Sequence, residues 1–267
     1  MLTAMKRIWR KVRPALSRST KGIWRDDRTL QVGDLTFTLV TWDFDKFKSA
    51  GNNFVLLKDR KFVDQYAELF AGKPLERVLE LGIYHGANLL LLERYFGARR
   101  VVGIDLRPPE AVLLEYLAGS GLSDRISPHF GVSQSDRAAV RDIIGRNFGG
   151  QSIDVIIDDA SHDLDFTRAS FEIAFPLLRA GGLYIIEDWG WAHWDGLWQT
   201  DLWTEKPALS NLVFELVMAC TSRRDLIARV DVSPYFVAVR KGEAAVDPES
   251  FRLSALYLTR GKQLNLL

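Results

Sequence analysis

The chain has 267 residues, 47% of them hydrophobic and 26% charged, with a formal net charge of +1. Such a composition is globular and long enough for a sizeable core; it excludes a disordered or collagenous chain, and the single cysteine, Cys220, excludes an intrachain disulfide. No apolar run approaches the ~20 residues of a spanning helix and the start lacks the apolar stretch of a secretory signal, so a cytoplasmic protein is expected.

Charge is unevenly placed. Residues 1–25 hold Lys6, Arg7, Arg10, Lys11, Arg13, Arg18, Lys21 and Arg25 with no acid, which leaves 27 basic against 34 acidic residues elsewhere. Leu2, Met5, Trp9, Val12 and Leu16 fall at helical spacing among these bases, with Pro14 interrupting. This basic arm suits peripheral contact with an anionic membrane, a solvated tail, or a helix packed on a neighbouring subunit. Nucleic-acid binding is not expected, because the body is acidic and carries no recognition motif.

Residues 26–57 read as an N-terminal extension in which Leu35 to Val40 alternates like a half-buried antiparallel strand. The main domain is expected over 58–242. It opens with a helix over 58–70 that places Phe62, Tyr66, Leu69 and Phe70 on one face. Strands are predicted at 77–81, 100–105, 126–130, 153–158 and 182–187, with helices near 87–96, 110–118, 136–147 and 164–179 between them. A helix at 209–220 and an antiparallel pair at 226–232 and 235–239 close the domain. This alternation predicts an α/β fold, a Rossmann-like, doubly wound and mostly parallel sheet of seven strands. Residues 243–267 form a C-terminal extension. Its Phe251 to Leu267 stretch, like the basic arm, is a candidate for packing between subunits, so a homo-oligomer is expected.

Ligands of open α/β sheets sit beyond the carboxyl ends of the strands. Two apolar runs end there in acids, at Asp158-Asp159-Ala160-Ser161-His162 and at Glu187-Asp188. Asp159, Glu187 and Asp188 should therefore share one crevice, with His162 three residues past Asp159. Clustered oxygen donors suit Mg²⁺ or a similar cation, and a neighbouring histidine is placed to take a proton from a hydroxyl. Taken alone, Asp158 or Asp159 is equally well read as a helix cap. His193 is the rival base, while His129 reads as structural and His85 as either a cofactor contact or loop packing.

Earlier in the chain, Val78-Leu79-Glu80-Leu81-Gly82 runs through Ile83-Tyr84-His85-Gly86-Ala87-Asn88 into a helix. A dinucleotide fingerprint needs glycines at 82, 84 and 87, and only Gly82 is present, which argues against NAD or FAD. The strand Val101 to Asp105 ends in a carboxylate, which can accept from two vicinal hydroxyls. Five of the eight tryptophans (Trp189, Trp191, Trp194, Trp198, Trp203) then crowd the segment after Asp188. They read either as an acceptor-binding lid, with His193, or as a hydrophobic cluster that anchors the loop.

An acid ahead of Gly82 with Gly86 following resembles motif I of class I S-adenosylmethionine-dependent methyltransferases, with Tyr84 where a glycine is often found. That resemblance implies S-adenosylmethionine as cofactor, held by Glu80, Gly82, Tyr84, Gly86 and Asn88. It also implies Asp105 on the ribose, Ser133 and Gln134 near the adenine, and Asp158 beside them. Within that superfamily, Leu79 to Gly82, Gly103 to Asp105, Asp158 to His162 and Gly181 to Asp188 are similar to motifs of metal-dependent sugar O-methyltransferases, and in part to cephalosporin-hydroxylase-like proteins. Ala160 stands where those enzymes often have glycine. The resemblance implies Asp159, Glu187 and Asp188 as metal ligands and His162 as base, with a small-molecule or oligosaccharide acceptor. A phenolic acceptor, a metal oxidase and a non-catalytic binding protein are the competing expectations.

Overall fold

The computed structural model describes residues 21–41 and 46–262. The membrane reading of the basic arm falls mostly on residues 1–20, outside that range, and the last residues of the arm belong to a strand. Four short strands, β1 (Gly22–Asp26), β2 (Thr29–Val32), β3 (Leu35–Leu39) and β4 (Asn53–Leu56), form a sheet in that order. The first three are antiparallel neighbours, and β4 joins β3 in parallel. The period-two pattern turns Leu30, Val32, Leu35, Phe37 and Leu39 to one face, where all are buried. The expected strand at 35–40 is β3. The strands beside it escaped sequence reading because β1 is largely exposed and each is only four or five residues long.

The second sheet is built from β5 (Arg77–Leu81), β6 (Arg100–Asp105), β7 (Ile126–Phe130), β8 (Ile153–Asp158), β9 (Leu178–Glu187), β10 (Ile227–Val232) and β11 (Phe236–Lys241). Its strand order is β10-β11-β9-β8-β5-β6-β7. Pairing is parallel from β9 to β7 and antiparallel for β11 against β9 and β10. The expected doubly wound, seven-stranded fold is thus the observed one. Strand order reverses between β5 and β8, where the chain leaves a crevice at the carboxyl ends of the strands. The connecting helices are α1 (Arg60–Phe70), α2 (Ala87–Arg94), α3 (Ala111–Ser120), α4 (Arg137–Phe148) and α5 (Leu164–Ala174), followed by α6 (Asp201–Thr204) and α7 (Ser210–Ser222).

Helix α5 stops at Ala174 rather than near 179, because Pro176 cannot continue it and the chain tightens into a single turn over Phe175–Leu177. Strand β9 consequently starts at Leu178, earlier than expected. No helix among the described residues is long and apolar enough to cross a membrane.

Two cores flank the sheet. One holds β5–β6 side chains together with α1, α2, α3 and the buried face of the N-terminal sheet; Phe37, Phe54, Tyr66 and Leu91 belong to it. The other packs α4, α5 and α7 on the opposite face and takes in Phe251, Leu253 and Leu256. That part of the C-terminal extension is therefore buried within its own chain, not left free for a neighbouring subunit as expected.

The N-terminal sheet shares a core with the main sheet, so the two should unfold together. Phe37→Ala is expected to cost about 3–5 kcal/mol and to leave one cooperative melting transition. A separate early transition by calorimetry would show that the small sheet has its own stability.

Candidate active site

The crevice at the switch point is a cavity of about 480 Å³. Its walls come from the loops after β4, β5, β6, β7, β8 and β9. On one side lies the glycine loop. Gly82 has φ +81°, and a Cβ there would come 2.2 Å from the Asp159 carbonyl oxygen and 2.4 Å from Ala160 Cα. Only glycine lets the end of β5 cross the Asp159 loop so closely. Gly86 (φ +76°) caps α2, where a Cβ would meet Leu113. Between them, Asp105 Oδ2 accepts from the amides of Ile83 at 2.8 Å and Tyr84 at 2.7 Å, while its Oδ1 accepts from Arg107 N at 2.8 Å. The carboxylate thus shapes the loop as well as facing the cavity. The Arg107 guanidinium lies 4.3 Å from the Tyr84 ring centroid.

Glu80 is buried at the cavity wall. One of its oxygens accepts from Asn88 Nδ2 at 2.7 Å, and the other, Oε2, has no partner. Burial pushes this carboxyl up to about 8, against the pull of Asn88 and Lys58. Ser133 and Gln134 line the cavity as expected. Gln134 also ties loops together: its Oε1 accepts from Ser161 N at 3.0 Å and its Nε2 donates to Asp158 Oδ1 at 3.1 Å.

Asp158 has a different place from the cofactor contact expected of it. It is not among the residues lining the cavity, and its side chain accepts from Gln134, Ser170 and Tyr184, the last at 2.7 Å. Burial pushes it up to about 6. It pins α5 to the sheet.

Opposite the glycine loop stand Asp159, His162 and Asp188. Each offers a ligand atom within 4.8 Å of the others, and all three are partly exposed to the cavity. His162 Nε2 lies 3.9 Å from Asp159 Oδ1 and 3.9 Å from Asp188 Oδ2. Burial, then repulsion from Asp159, holds the Asp188 carboxyl above its ordinary range.

Glu187, the third acid of the expected set, is fully engaged elsewhere. It accepts from Lys58 Nζ on one oxygen and from the Tyr66 hydroxyl on the other. Lys58 Nζ also donates to Asp159 Oδ2 at 3.1 Å and sits 4.5 Å from the centre of the Phe62 ring. Burial alone would lower the Lys58 pKa; attraction to Asp159 and then Glu187, with the hydrogen bond to Glu187, more than reverses this and keeps it charged.

Backbone strain concentrates here. Four non-glycine residues among those described have positive φ, and three of them, Tyr84 (48°), His162 (53°) and Asp188 (51°), line this cavity. Each such conformation costs on the order of 1 kcal/mol, and such strain gathers at functional sites. Trp191 helps to hold one of them: its buried indole donates to the His162 carbonyl at 2.7 Å.

The other tryptophans pack mostly on one another. Trp191, Trp194, Trp198 and Trp203 form a chain of ring contacts, with Trp198 and Trp203 4.7 Å apart. Trp189 donates to Ser233 O at 2.9 Å. Neither these residues nor His193, which meets Ser210 Oγ at 3.0 Å, line the cavity. The reading as an anchoring cluster matches this geometry. The cavity's exposed apolar surface comes instead from Leu106 and Phe166, 71% and 48% exposed. Sequence reading missed Lys58, Tyr66 and Phe166 as site residues. The helical spacing places Tyr66 on the buried face of α1, which it also occupies here.

Gly82→Ala should destabilise the fold by roughly 3 kcal/mol through the left-handed backbone and the clash with the Asp159 loop. A melting temperature equal to wild type would mean that the two loops separate freely.

A family model described as a methyltransferase domain matches residues 79–189. L-olivosyl-oleandolide 3-O-methyltransferase of Streptomyces antibioticus is 33% identical over 127 residues, covering 45% of this chain and 30% of that protein. Mycinamicin VI 2''-O-methyltransferase of Micromonospora griseorubida is 31% identical over 127 residues, 45% of this chain and 29% of the relative. The match therefore spans less than a third of either relative's length. Among solved structures, the MycE methyltransferase of the mycinamycin biosynthetic pathway, in complex with Mg, SAH and mycinamycin VI, superimposes with a TM-score of 0.51 at 26% identity. That similarity covers 68% of this chain and 49% of the other. The seven-stranded fold, the matched domain and these relatives together show that residues 79–189 carry a methyltransferase domain, and that the chain is similar to class I S-adenosylmethionine-dependent sugar O-methyltransferases.

Proposed function

We propose that this chain methylates a sugar hydroxyl of a glycoside, oligosaccharide or glycolipid, using S-adenosylmethionine and a divalent cation such as Mg²⁺. The observation that carries this reading is one cavity in which the glycine loop and Asp105 face the Asp159, His162 and Asp188 group. The residues present fit both groups. Glu80 Oε2, buried without a partner at the wall, suits the ammonium of a methionine moiety. Two carboxylates open to the cavity suit a hard divalent cation. When bound, S-adenosylmethionine supplies an electrophilic methyl group and Mg²⁺ a Lewis acid that acidifies and orients the acceptor hydroxyl.

On the cofactor side, Glu80, Gly82, Tyr84, Gly86, Asn88, Asp105, Ser133 and Gln134 are the binding residues in this reading. On the acceptor side, Asp159 and Asp188 hold the cation, with Glu187 behind them. A sugar hydroxyl is a very weak acid, so the nucleophile needs a base in line with it. His162 is that base, with its Nε2 3.9 Å from an oxygen of Asp159 and 3.9 Å from one of Asp188. Its strained backbone, held by Trp191, fixes the direction of the ring. Half-exposed Phe166 offers an apolar face against which a sugar ring can pack. An oxidase of the two-histidine, one-carboxylate type finds no support, since the group has one histidine among the described residues.

Calorimetry with S-adenosylhomocysteine, first with Mg²⁺ and then with chelator, tests the cofactor side. Micromolar binding in both conditions is expected, and binding in neither would remove the cofactor reading. Turnover on rhamnosyl glycosides should be lost in chelator, and full activity there would remove the metal. His162→Ala should retain cofactor binding and lose 10²–10⁴-fold in turnover. Faster turnover on a catechol than on any glycoside, little affected by that substitution, would move the acceptor to the phenols.

Glu80 adds a pH signature. Its folded-state pKa of about 8 lies above the ordinary 4.5, so the stability it contributes is fully present below about 4.5 and is lost as pH rises through about 8. A cofactor ammonium stabilises the ionised carboxylate, so S-adenosylhomocysteine binding at pH 7 should release a proton. Binding heats measured in buffers of different ionisation enthalpy read that proton, and Glu80→Gln should abolish it. Equal heats in all buffers with the wild-type protein would place the ammonium elsewhere.

A further inference from the structure

Lys58 lies outside the matched domain and directly before α1, yet its ammonium sits at the acidic centre. Its side chain is 3% exposed, and it bonds both Asp159 and Glu187. The ring of Phe62 closes one side of it, and Tyr66 takes the remaining Glu187 oxygen. Both oxygens of Glu187 are therefore occupied by groups of this chain, while Asp159 Oδ1 and Asp188 remain turned toward His162.

We propose that Lys58 is a tethered cation that competes with the divalent metal for the carboxylates and sets how tightly the metal is held. The inference rests on the metal-dependent reading above. Three carboxylates, Asp159, Glu187 and Asp188, bring three negative charges, and a buried ammonium cancels one. The remaining charge matches one divalent ion, held by the outer pair Asp159 and Asp188 beside His162 rather than by three carboxylates. A fixed positive charge this close repels a second cation strongly where water is excluded. The metal site of this chain is thus weakened by design and exchanges readily, and Lys58 is a positioning residue for Glu187 and Asp159.

The test is Mn²⁺ affinity, read by titration of the free-ion electron paramagnetic resonance signal, on the full chain. S-Adenosylhomocysteine binding serves as the control for folding. Lys58→Met, which keeps length and apolar contacts, should tighten Mn²⁺ binding tenfold or more, and the gain should vanish in the Lys58→Met/Glu187→Gln double variant. Lys58→Arg, which keeps the charge, should not tighten it. Unchanged or weaker Mn²⁺ binding by a Lys58→Met protein that still binds S-adenosylhomocysteine would overturn the inference. If Lys58→Met does not fold, Glu187→Gln in the otherwise unchanged chain decides the matter. Mn²⁺ affinity within threefold of wild type supports the inference, and a tenfold loss overturns it, since Glu187 would then be a ligand that Lys58 does not withhold. Absence of Mn²⁺ binding in every protein, with S-adenosylhomocysteine still bound, would overturn the metal reading itself and this inference with it.

Discussion

The site depends on one close approach, that of the backbone at Gly82 to the backbone at Asp159 and Ala160. These two loops follow neighbouring strands of the switch point, and the amide of Asp159 donates to Leu81 O at 2.8 Å. One loop leads to the cofactor side and the other to the acid–histidine group. The methyl transfer proposed above needs its two reacting atoms held in line at near contact distance. A side chain at position 82 would push the loops apart, so the absence of a Cβ there is a condition on the fold and, in the proposed function, on the chemistry.

Rigidity around that contact is built from polar groups placed inside the sheet ends. Asp105 holds the amides of the glycine loop, and Asp158 gathers Gln134, Ser170 and Tyr184. Gln134 then accepts from Ser161 N, so the loops after β7 and β8 are tied together. Buried polar networks of this kind hold a geometry well when each member is satisfied. Glu80 Oε2 and Asn88 Oδ1, on two residues that line the cavity, are among the buried atoms left without a partner, and in the proposed function the first of them meets the cofactor.

Much of this was legible in the sequence. Strands β5, β6 and β8 are buried on both faces and read as continuous apolar runs, so their ends and the residues just beyond them could be placed. Asp105, Gly82, Asp159 and His162 followed from that placement. Which of two adjacent acids faces the crevice was harder. Asp158 still belongs to the strand and turns into the helix layer, whereas Asp159 has left the strand and faces the cavity. Adjacent strand residues point to opposite faces, but the face was not knowable without the partner Ser170 on α5. The tryptophans misled differently: aromatic density after a candidate metal strand fits a lid and an anchor equally well, and only their mutual packing separates the two. Lys58 carried no signal. A lysine ahead of a helix is usually solvated, and its burial arises from residues about a hundred positions away.

That last case concerns the chain ahead of the matched domain. The matched domain covers 79–189 and contains the cofactor loop, Asp159, His162 and the Glu187–Asp188 pair. Lys58, Phe62 and Tyr66 come before it, on the segment that links the N-terminal sheet to α1 and on that helix. Because the small sheet shares a core with α1, α2 and α3, its packing controls where that segment lies. Val55 to Lys58 form one wall of the cavity, directly beside the acid–histidine group. The matched domain thus holds the glycine loop and the acid–histidine group, and the segment ahead of it adds a charge and one wall to the cavity.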